Sequence, residues 1–228
     1  MANNPNIFYR DKKCIKCHRK FKTPQVKSNA VRIDKRDTDN CPYYKLDNPL
    51  LYEFYICPHC HMVFTDHFEE ITKQKDKDIL DRLFFKMRNV ENLFEERNID
   101  DGLRLAKLAL VAGESLKETS IKLAPICLRI AWFNRYKEDV GEESRFLSNA
   151  YAHFEKAYNN SDLKIKDKSV PEDFVVYTLA ELSYRIGVYI NTKSWFNQLF
   201  KFPNRSRYVM KGRDRWSDIR QEITKVSK

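Results

Sequence analysis

Two short strings, Cys14-Ile15-Lys16-Cys17 and Cys57-Pro58-His59-Cys60, constrain this chain more than anything else in its 228 residues. Each places two thiols on one tight turn, and residues 18–56 separate the two strings. The first continues into His18, so "CIKCH" has three chemical readings: a c-type haem attachment string, a redox dithiol, or half of a tetrahedral metal site. The haem reading requires export. Met1-Ala2-Asn3-Asn4-Pro5 shows no basic segment leading into an apolar run of roughly 7–15 residues, so no secretory signal is expected. The expected location is the cytoplasm, where six cysteines point to metal rather than to disulfides. A redox dithiol belongs to a βαβ setting, which the neighbouring segments do not suggest.

The spacing predicts a Zn²⁺ site made of Cys14, Cys17, Cys57 and Cys60, since two knuckles let four thiolates meet around one tetrahedral ion. The interval exceeds the roughly 15–20 residues of a compact finger, but loop-closure entropy rises only logarithmically with length. Phe21 and Phe64 each lie four residues past a knuckle's second cysteine, suited to packing on a small metal core. Leu51-Tyr52-Glu53-Phe54-Tyr55-Ile56 alternates and reads as a strand entering the second knuckle. A zinc ribbon accommodates these parts. Four thiolates leave no position for bound water, so the metal is expected to be structural. Cys41, His18, His59, His61 and His67 share the region. Cys41 reads either as an alternative ligand or as a small buried hydrophobe, and the histidines as ligands or surface residues. Cys127 reads as core and His153 as helix surface.

Composition changes near residue 70. Five of six cysteines and four of five histidines precede it, and helical periodicity follows it. The expected organisation is therefore a metal-binding module over 1–70 and an all-α domain over 71–228. Ile79, Leu83 and Met87 predict a helix over 75–90. Leu103–Leu110 predicts a second after the start signal Asp100-Asp101-Gly102, and further helices are expected at 117–137 and 142–159. A fifth opens at Ser169-Val170-Pro171-Glu172-Asp173, a sixth runs from Asn191 to Pro203, and a seventh covers 213–225. The expected fold class is mainly α, with antiparallel helix pairs like tetratricopeptide (TPR) repeats behind a small zinc-ribbon β module. Within 172–203, Leu179, Ala180, Gly187, Tyr189, Phe196 and Pro203 follow the repeat's signature order at a period of about 34 residues. Thr192 replaces the expected alanine, and the pair at 119–159 has a longer link. An ordinary helical bundle buries the same side chains.

The net charge of +10 is concentrated at two places. Residues 10–27 hold eight Lys or Arg against Asp11, and residues 201–228 hold nine against Asp214, Asp218 and Glu222. Two basic ends suit a nucleic-acid partner, or simply solubility. No run approaches the roughly 20 apolar residues of a membrane span, so no membrane partner is expected.

Three strings, "CIKCHRKFKTPQVKSNAVRIDKRDTDNCPYYKLDNPLLYEFYICPHC" (14–60), "ICLRIAWFNRYK" (126–137) and "YTLAELSYRIGVY" (177–189), together resemble DUF2225, a bacterial domain family of unknown function. The resemblance implies a metal-binding front with paired Cys-x-x-Cys strings and a TPR-like helical back. It carries no activity with it. Glycine usually ends each knuckle in that family, whereas His18 and His61 stand here, which brings both histidines forward as ligand candidates.

Between the knuckles, Arg32, Asp34, Lys35, Arg36, Asp37 and Asp39 accompany Tyr43 and Tyr44. Arg32 and Arg36 read as bidentate anion contacts, or the whole set reads as salt bridges tying the insert to the helices, which is the favoured account. The expected function is a non-enzymatic adaptor whose helical surface binds a protein or peptide. A nucleic-acid-binding regulator is the rival, with Phe21 and Tyr208 as stacking candidates. No nucleophile elbow, phosphate-cradling glycine loop or His-Glu metal motif supports an enzyme.

Overall fold

The computed structural model describes residues 4–85 and 90–226. Seven helices and four two-stranded antiparallel hairpins make up these described residues, so the chain is mainly α with small β hairpins around the cysteines. Strands β1 (Ile7–Lys13) and β2 (Lys20–Val26) flank the first knuckle, with Lys12 opposite Phe21. Strands β3 (Ile33–Arg36) and β4 (Pro42–Tyr44) form a hairpin within the insert. The second knuckle lies between β5 (Tyr55–Ile56) and β6 (Val63–Phe64).

The strand expected at 51–56 is only Tyr55–Ile56. Pro49–Tyr52 is instead a 3-10 turn, opened by the Asn48 side chain accepting from the Leu50 N–H at 2.9 Å. Leu50, Leu51 and Tyr52 are all buried, so the apparent alternation does not describe two faces. Arg97, only 4 % exposed, fixes this shape by donating to the carbonyls of Leu51 (3.1 Å), Phe54 (2.9 Å) and Leu93 (2.9 Å). Backbone acceptors buried without a strand partner must find another donor, and the guanidinium supplies it.

Helix α1 (Gln74–Phe84) covers the first part of the expected 75–90, and Met87 lies outside the described residues. Helix α2 (Ile99–Ser115) starts before the expected Asp-Asp-Gly signal. Asn98 is its cap, accepting from Asp101 N–H at 2.9 Å, while Asp101 accepts from the Asn98 N–H at 3.1 Å. Gly113 lets α2 press on Leu123 and on Phe68, just past the second knuckle's hairpin. A Cβ there would lie 2.7 Å from Leu123 Cδ2 and 2.9 Å from Phe68 Cζ.

Helices α3 (Ser120–Tyr136) and α4 (Val140–Asn159) form one tightly packed pair. After the small hairpin β7 (Lys164–Ile165) and β8 (Lys168–Ser169), α5 (Glu172–Arg185) and α6 (Tyr189–Leu199) form another. The long helix α7 (Arg207–Val226) closes on α5 and α6. The first pair's link is not longer than the second's: 137–139 and 186–188 are equal. Each reverses through a left-handed residue, Glu138 (φ 60°) or Gly187 (φ 78°). In both, the N–H three residues past the helix closes back, Asp139 to Asn134 O at 3.0 Å and Val188 to Ser183 O at 2.8 Å. Glycine marks only one of these turns, so the other was not visible as such.

One buried apolar cluster runs from Cys14 to Leu182 and passes residue 70 without a break, with Phe68 and Ile71 both inside. The composition change there marks a change of secondary structure within a shared core. A second, smaller cluster, including Tyr177, Phe196, Val209 and Ile219, sits among α5, α6 and α7.

The β3–β4 tip is driven into this helical layer by two buried acids. Asp39, with its carboxylate fully buried, accepts from Arg135 Nη2 at 2.7 Å and Nη1 at 3.1 Å, from Trp132 Nε1 at 3.0 Å and from the Cys41 N–H at 3.1 Å. Glu181, also fully buried, accepts from Arg185 Nε at 2.9 Å, Arg215 Nε at 2.8 Å and the Thr38 hydroxyl. Tyr177 donates to Thr38 O at 2.6 Å. Burial opposes ionisation of Asp39, but the hydrogen bonds and charge of Arg135, with the charge of Arg185, outweigh it and hold the carboxyl below its usual range.

A carboxyl depressed in the folded state contributes stability that is complete above its unfolded pKa, about 3.9 for Asp, and is lost as pH falls through the folded value. Urea unfolding across pH should therefore show wild type losing stability on the acid side. Asp39→Asn should be destabilised by about 3 kcal/mol at neutral pH, because Arg135 loses a buried counter-charge, with a flatter acid limb. Equal acid limbs in the two proteins would contradict this assignment.

Candidate metal centre and adjoining cleft

Each knuckle is a short turn between two strands, and its backbone amides point at sulfur. Lys16 N–H and Cys17 N–H lie 3.4 and 3.5 Å from Cys14 Sγ. The turns face each other, so that Cys14 Sγ is 3.7 Å from Cys60 Sγ and Cys17 Sγ is 3.6 Å from Cys57 Sγ. All four sulfurs fall within 4.8 Å of one another. Metal–sulfur bonds of about 2.3 Å in a tetrahedron require sulfur–sulfur edges of about 3.8 Å, so the four cysteines are spaced to hold one ion. Disulfide sulfurs would stand at about 2.05 Å, and all four thiols are free.

The electrostatics favour a cation. Hydrogen bonds from the Cys57 and Cys60 thiols hold Cys14 far below the usual thiol range. The same bonds push Cys60 strongly up and Cys57 up to about 12. Four sulfurs packed this closely cannot all carry charge without a counter-ion, and a bound cation removes that restriction. Phe21 and Phe64 meet edge-on beside the cluster, ring centres 6.4 Å apart and inclined by 80°.

The other candidates lie elsewhere. His18 and His61 take the left-handed conformation, φ 59° and 54°, and donate their N–H groups to Cys14 O (3.1 Å) and Cys57 O (2.8 Å). They close the turns as glycine would, and neither belongs to the sulfur group. His59 is exposed, and burial lowers the pKa of His67 and of the half-buried His153. Cys41 is buried 3.5 Å from the Tyr136 hydroxyl, and burial pushes its thiol up to about 12. Cys127 is core, as expected.

In the polar insert, Asp37 and Asp39 are structural ion-pair partners of Arg135, whereas Arg32 and Arg36 are exposed. Asp34 pairs with Lys45 and Lys35 lies over the Tyr43 ring. Sequence reasoning missed Arg97, Arg135, Arg185, Arg215 and Glu181. The isolated Glu181 within the apolar run "YTLAELSYRIGVY" was the available signal, since a charge inside a buried helix face needs a partner.

Between the hairpins and the helices, three adjoining cavities of about 360, 600 and 620 Å³ open. Glu53, Pro125 and Arg129 line the first and third. Asp66 and His67 line the first and second, and Phe174 and Tyr208 the second and third. Arg129 clamps Glu53 at 2.7 Å and lies 4.4 Å over the Trp132 ring.

A family model described as an uncharacterized protein conserved in bacteria, DUF2225, matches residues 7–221. The chain belongs to this family. Neither the curated proteins nor the solved structures yield a match. The family match takes in both knuckles and all seven described helices except the last turn of α7, so this DUF2225 member carries its sulfur cluster and its cleft within the shared region. No helix among the described residues is long and apolar enough to cross a membrane.

Replacing Cys57 by Ser should reduce the bound metal to background and loosen the knuckles, while far-ultraviolet circular dichroism keeps most of its helical signal. Metal content equal to wild type would remove Cys57 from the ligand set. His18→Gly and His61→Gly should each stabilise the protein by about 1 kcal/mol in denaturant titrations with metal content unchanged, because glycine adopts the left-handed turn without strain. Loss of metal in either variant would make that histidine a ligand.

Proposed function

We propose that this DUF2225 protein is a zinc-binding, non-enzymatic adaptor that takes a peptide segment of a protein partner in the cleft between its knuckle module and its helices. The observation that carries this reading is the cleft itself, walled on one side by Glu53, Asp66 and His67 and on the other by Pro125, Arg129 and Phe174. A concave surface built across two packed layers is a usual place for a ligand. Tetrahedral sulfur coordination suits zinc, with iron as the competing ion. Four thiolates would fill the coordination sphere, so the residues at hand make zinc a structural ion that holds the module against α2 and keeps one wall of the cleft in place. The TPR-like reading of α3–α6 fits the same use, since stacked helix pairs present curved faces.

The basic ends give less support to a nucleic-acid regulator. Lys12, Lys13 and Lys16 are engaged by Asp66, Glu70 and Asp81, and Arg215 by Glu181.

Metal analysis of the purified protein should give about one zinc per chain, and iron in its place would overturn the zinc assignment. For the partner, a photo-crosslinking residue at Lys168, on the cleft, should join discrete polypeptides in cells. The same residue at Lys193 on α6, which lines none of the three cavities, should not. Crosslinks to nucleic acid alone, or equal yields at both positions, would overturn the adaptor reading.

A further inference from the structure

Cations around the cleft fall into two groups. Arg129, Arg135, Arg185 and Arg215 each hold a carboxylate at 2.9 Å or less. Arg36, Arg207 and Lys211 hold none among the described residues, nor do Lys166 and Lys168 at the second cavity, and the first three gather at the 620 Å³ cavity. Arg36 and Arg207 line it directly. Lys211 reaches it through Asn40, another lining residue, whose Oδ1 accepts from Nζ at 2.7 Å. Burial pushes the half-buried Lys211 ammonium below its ordinary range, and the charges of Arg207 and Arg36 push the same way against Glu181 and Asp39. Three like charges gathered beside a cavity repel one another, and an anion placed among them relieves that repulsion.

The remaining lining decides which anion. Further along the cleft stand Glu53, held by Arg129, Asp66, held by Lys12, and Asp167 between Lys166 and Lys168, a mixed lining and not the continuous run of cations that a chain of phosphates needs. Two of the aromatic faces that a base would need, Trp132 and Tyr208, are already taken. Arg129 covers Trp132 at 4.4 Å, Arg207 lies 5.0 Å over Tyr208, and Phe174 packs on Tyr208 at 5.2 Å. A ligand with one negative group at one end and neutral or basic groups behind it fits this distribution. An extended polyanion does not.

We infer that Arg36, Arg207 and Lys211 form the seat for a carboxylate of the partner's peptide segment, which fixes the direction in which that segment lies in the cleft. This rests on the adaptor reading above and adds the chemistry of its ligand. Arginine forks and an ammonium suit a carboxylate, supplied by an Asp or Glu side chain or by a chain terminus.

The test is a selection of phage-displayed random dodecapeptides on the zinc-loaded full-length protein. Enriched clones are then measured against R36E/R207E. Both arginines are exposed and hold no carboxylate among the described residues, so the double variant should keep the wild-type melting curve, and Lys211→Met serves as an independent second variant. Enrichment in Asp, Glu or a required free C-terminus, with binding weakened at least about tenfold by either variant, is the expected result. Resynthesis with an amidated C-terminus separates a side-chain carboxylate from a terminal one. Clones without acidic bias, or with unchanged affinity for both variants, would overturn the carboxylate seat and leave the peptide reading standing. No enrichment at all would overturn both. A labelled single-stranded RNA that binds wild type and is lost in R36E/R207E would assign the cations to nucleic acid instead.

Discussion

The pairing of Asp39 and Glu181 with arginines from three helices is the constraint on which the rest of the architecture depends. Two carboxylates are fully removed from water, and their charges are matched by Arg135 of α3, Arg185 of α5 and Arg215 of α7. A buried ion pair gains little over well-packed hydrophobic side chains, but separating its partners is strongly unfavourable. The network therefore penalises any arrangement in which the β3–β4 tip leaves the helices. The cleft inherits its walls from the same elements: Tyr44 from the hairpin, Trp132 from α3, Thr178 from α5 and Tyr208 from α7. A cleft assembled from four parts of the chain is thus held by charges that lie just behind it.

The insert between the knuckles is secured at three depths by three kinds of chemistry. Sulfurs gather its two ends, spaced for one metal ion. The ion network grips its middle. Between them, Arg97 serves the 3-10 turn through the carbonyls of Leu51 and Phe54, and its guanidinium, which holds no carboxylate among the described residues, falls to about 10 as burial works against its charge. It stays protonated at neutral pH, and each of its bonds replaces one that water or a neighbouring strand would otherwise make.

Local chemistry was readable in the sequence and long-range matching was not. Two thiols on one turn announce themselves because the signal lies within four residues, and the helical stretches were visible because their period is short. The tip was half legible: its mixed charge suggested internal salt bridges, but Arg32 and Arg36, adjacent in sequence, looked like the working cations, while Arg135 does the pairing from 96 residues away. Leu51–Ile56 looked like a strand because burial on every side mimics alternation in a short apolar run. His18, His61 and Glu138 occupy turns that glycine commonly marks, so the left-handed backbone there had no residue signature. The change at residue 70 was real in composition, yet Phe68, Leu123 and Gly113 meet across it.

The distances along the chain set an order of assembly. Both knuckles precede all seven described helices, and domains generally begin folding from the N-terminus as they emerge. The residues that engage the tip come much later: Arg135, which neutralises Asp39, is 96 residues downstream, and Lys211, which holds Asn40, is 171. During synthesis the cysteines can capture their ion while Asp39 is still solvated and its counter-charges do not yet exist. The knuckles thus meet around a loop whose centre stays charged until α3 and α5 supply Arg135 and Arg185. On the zinc-binding reading proposed above, a shortage of metal at that moment would leave four thiols open to oxidation before the helices can shelter them.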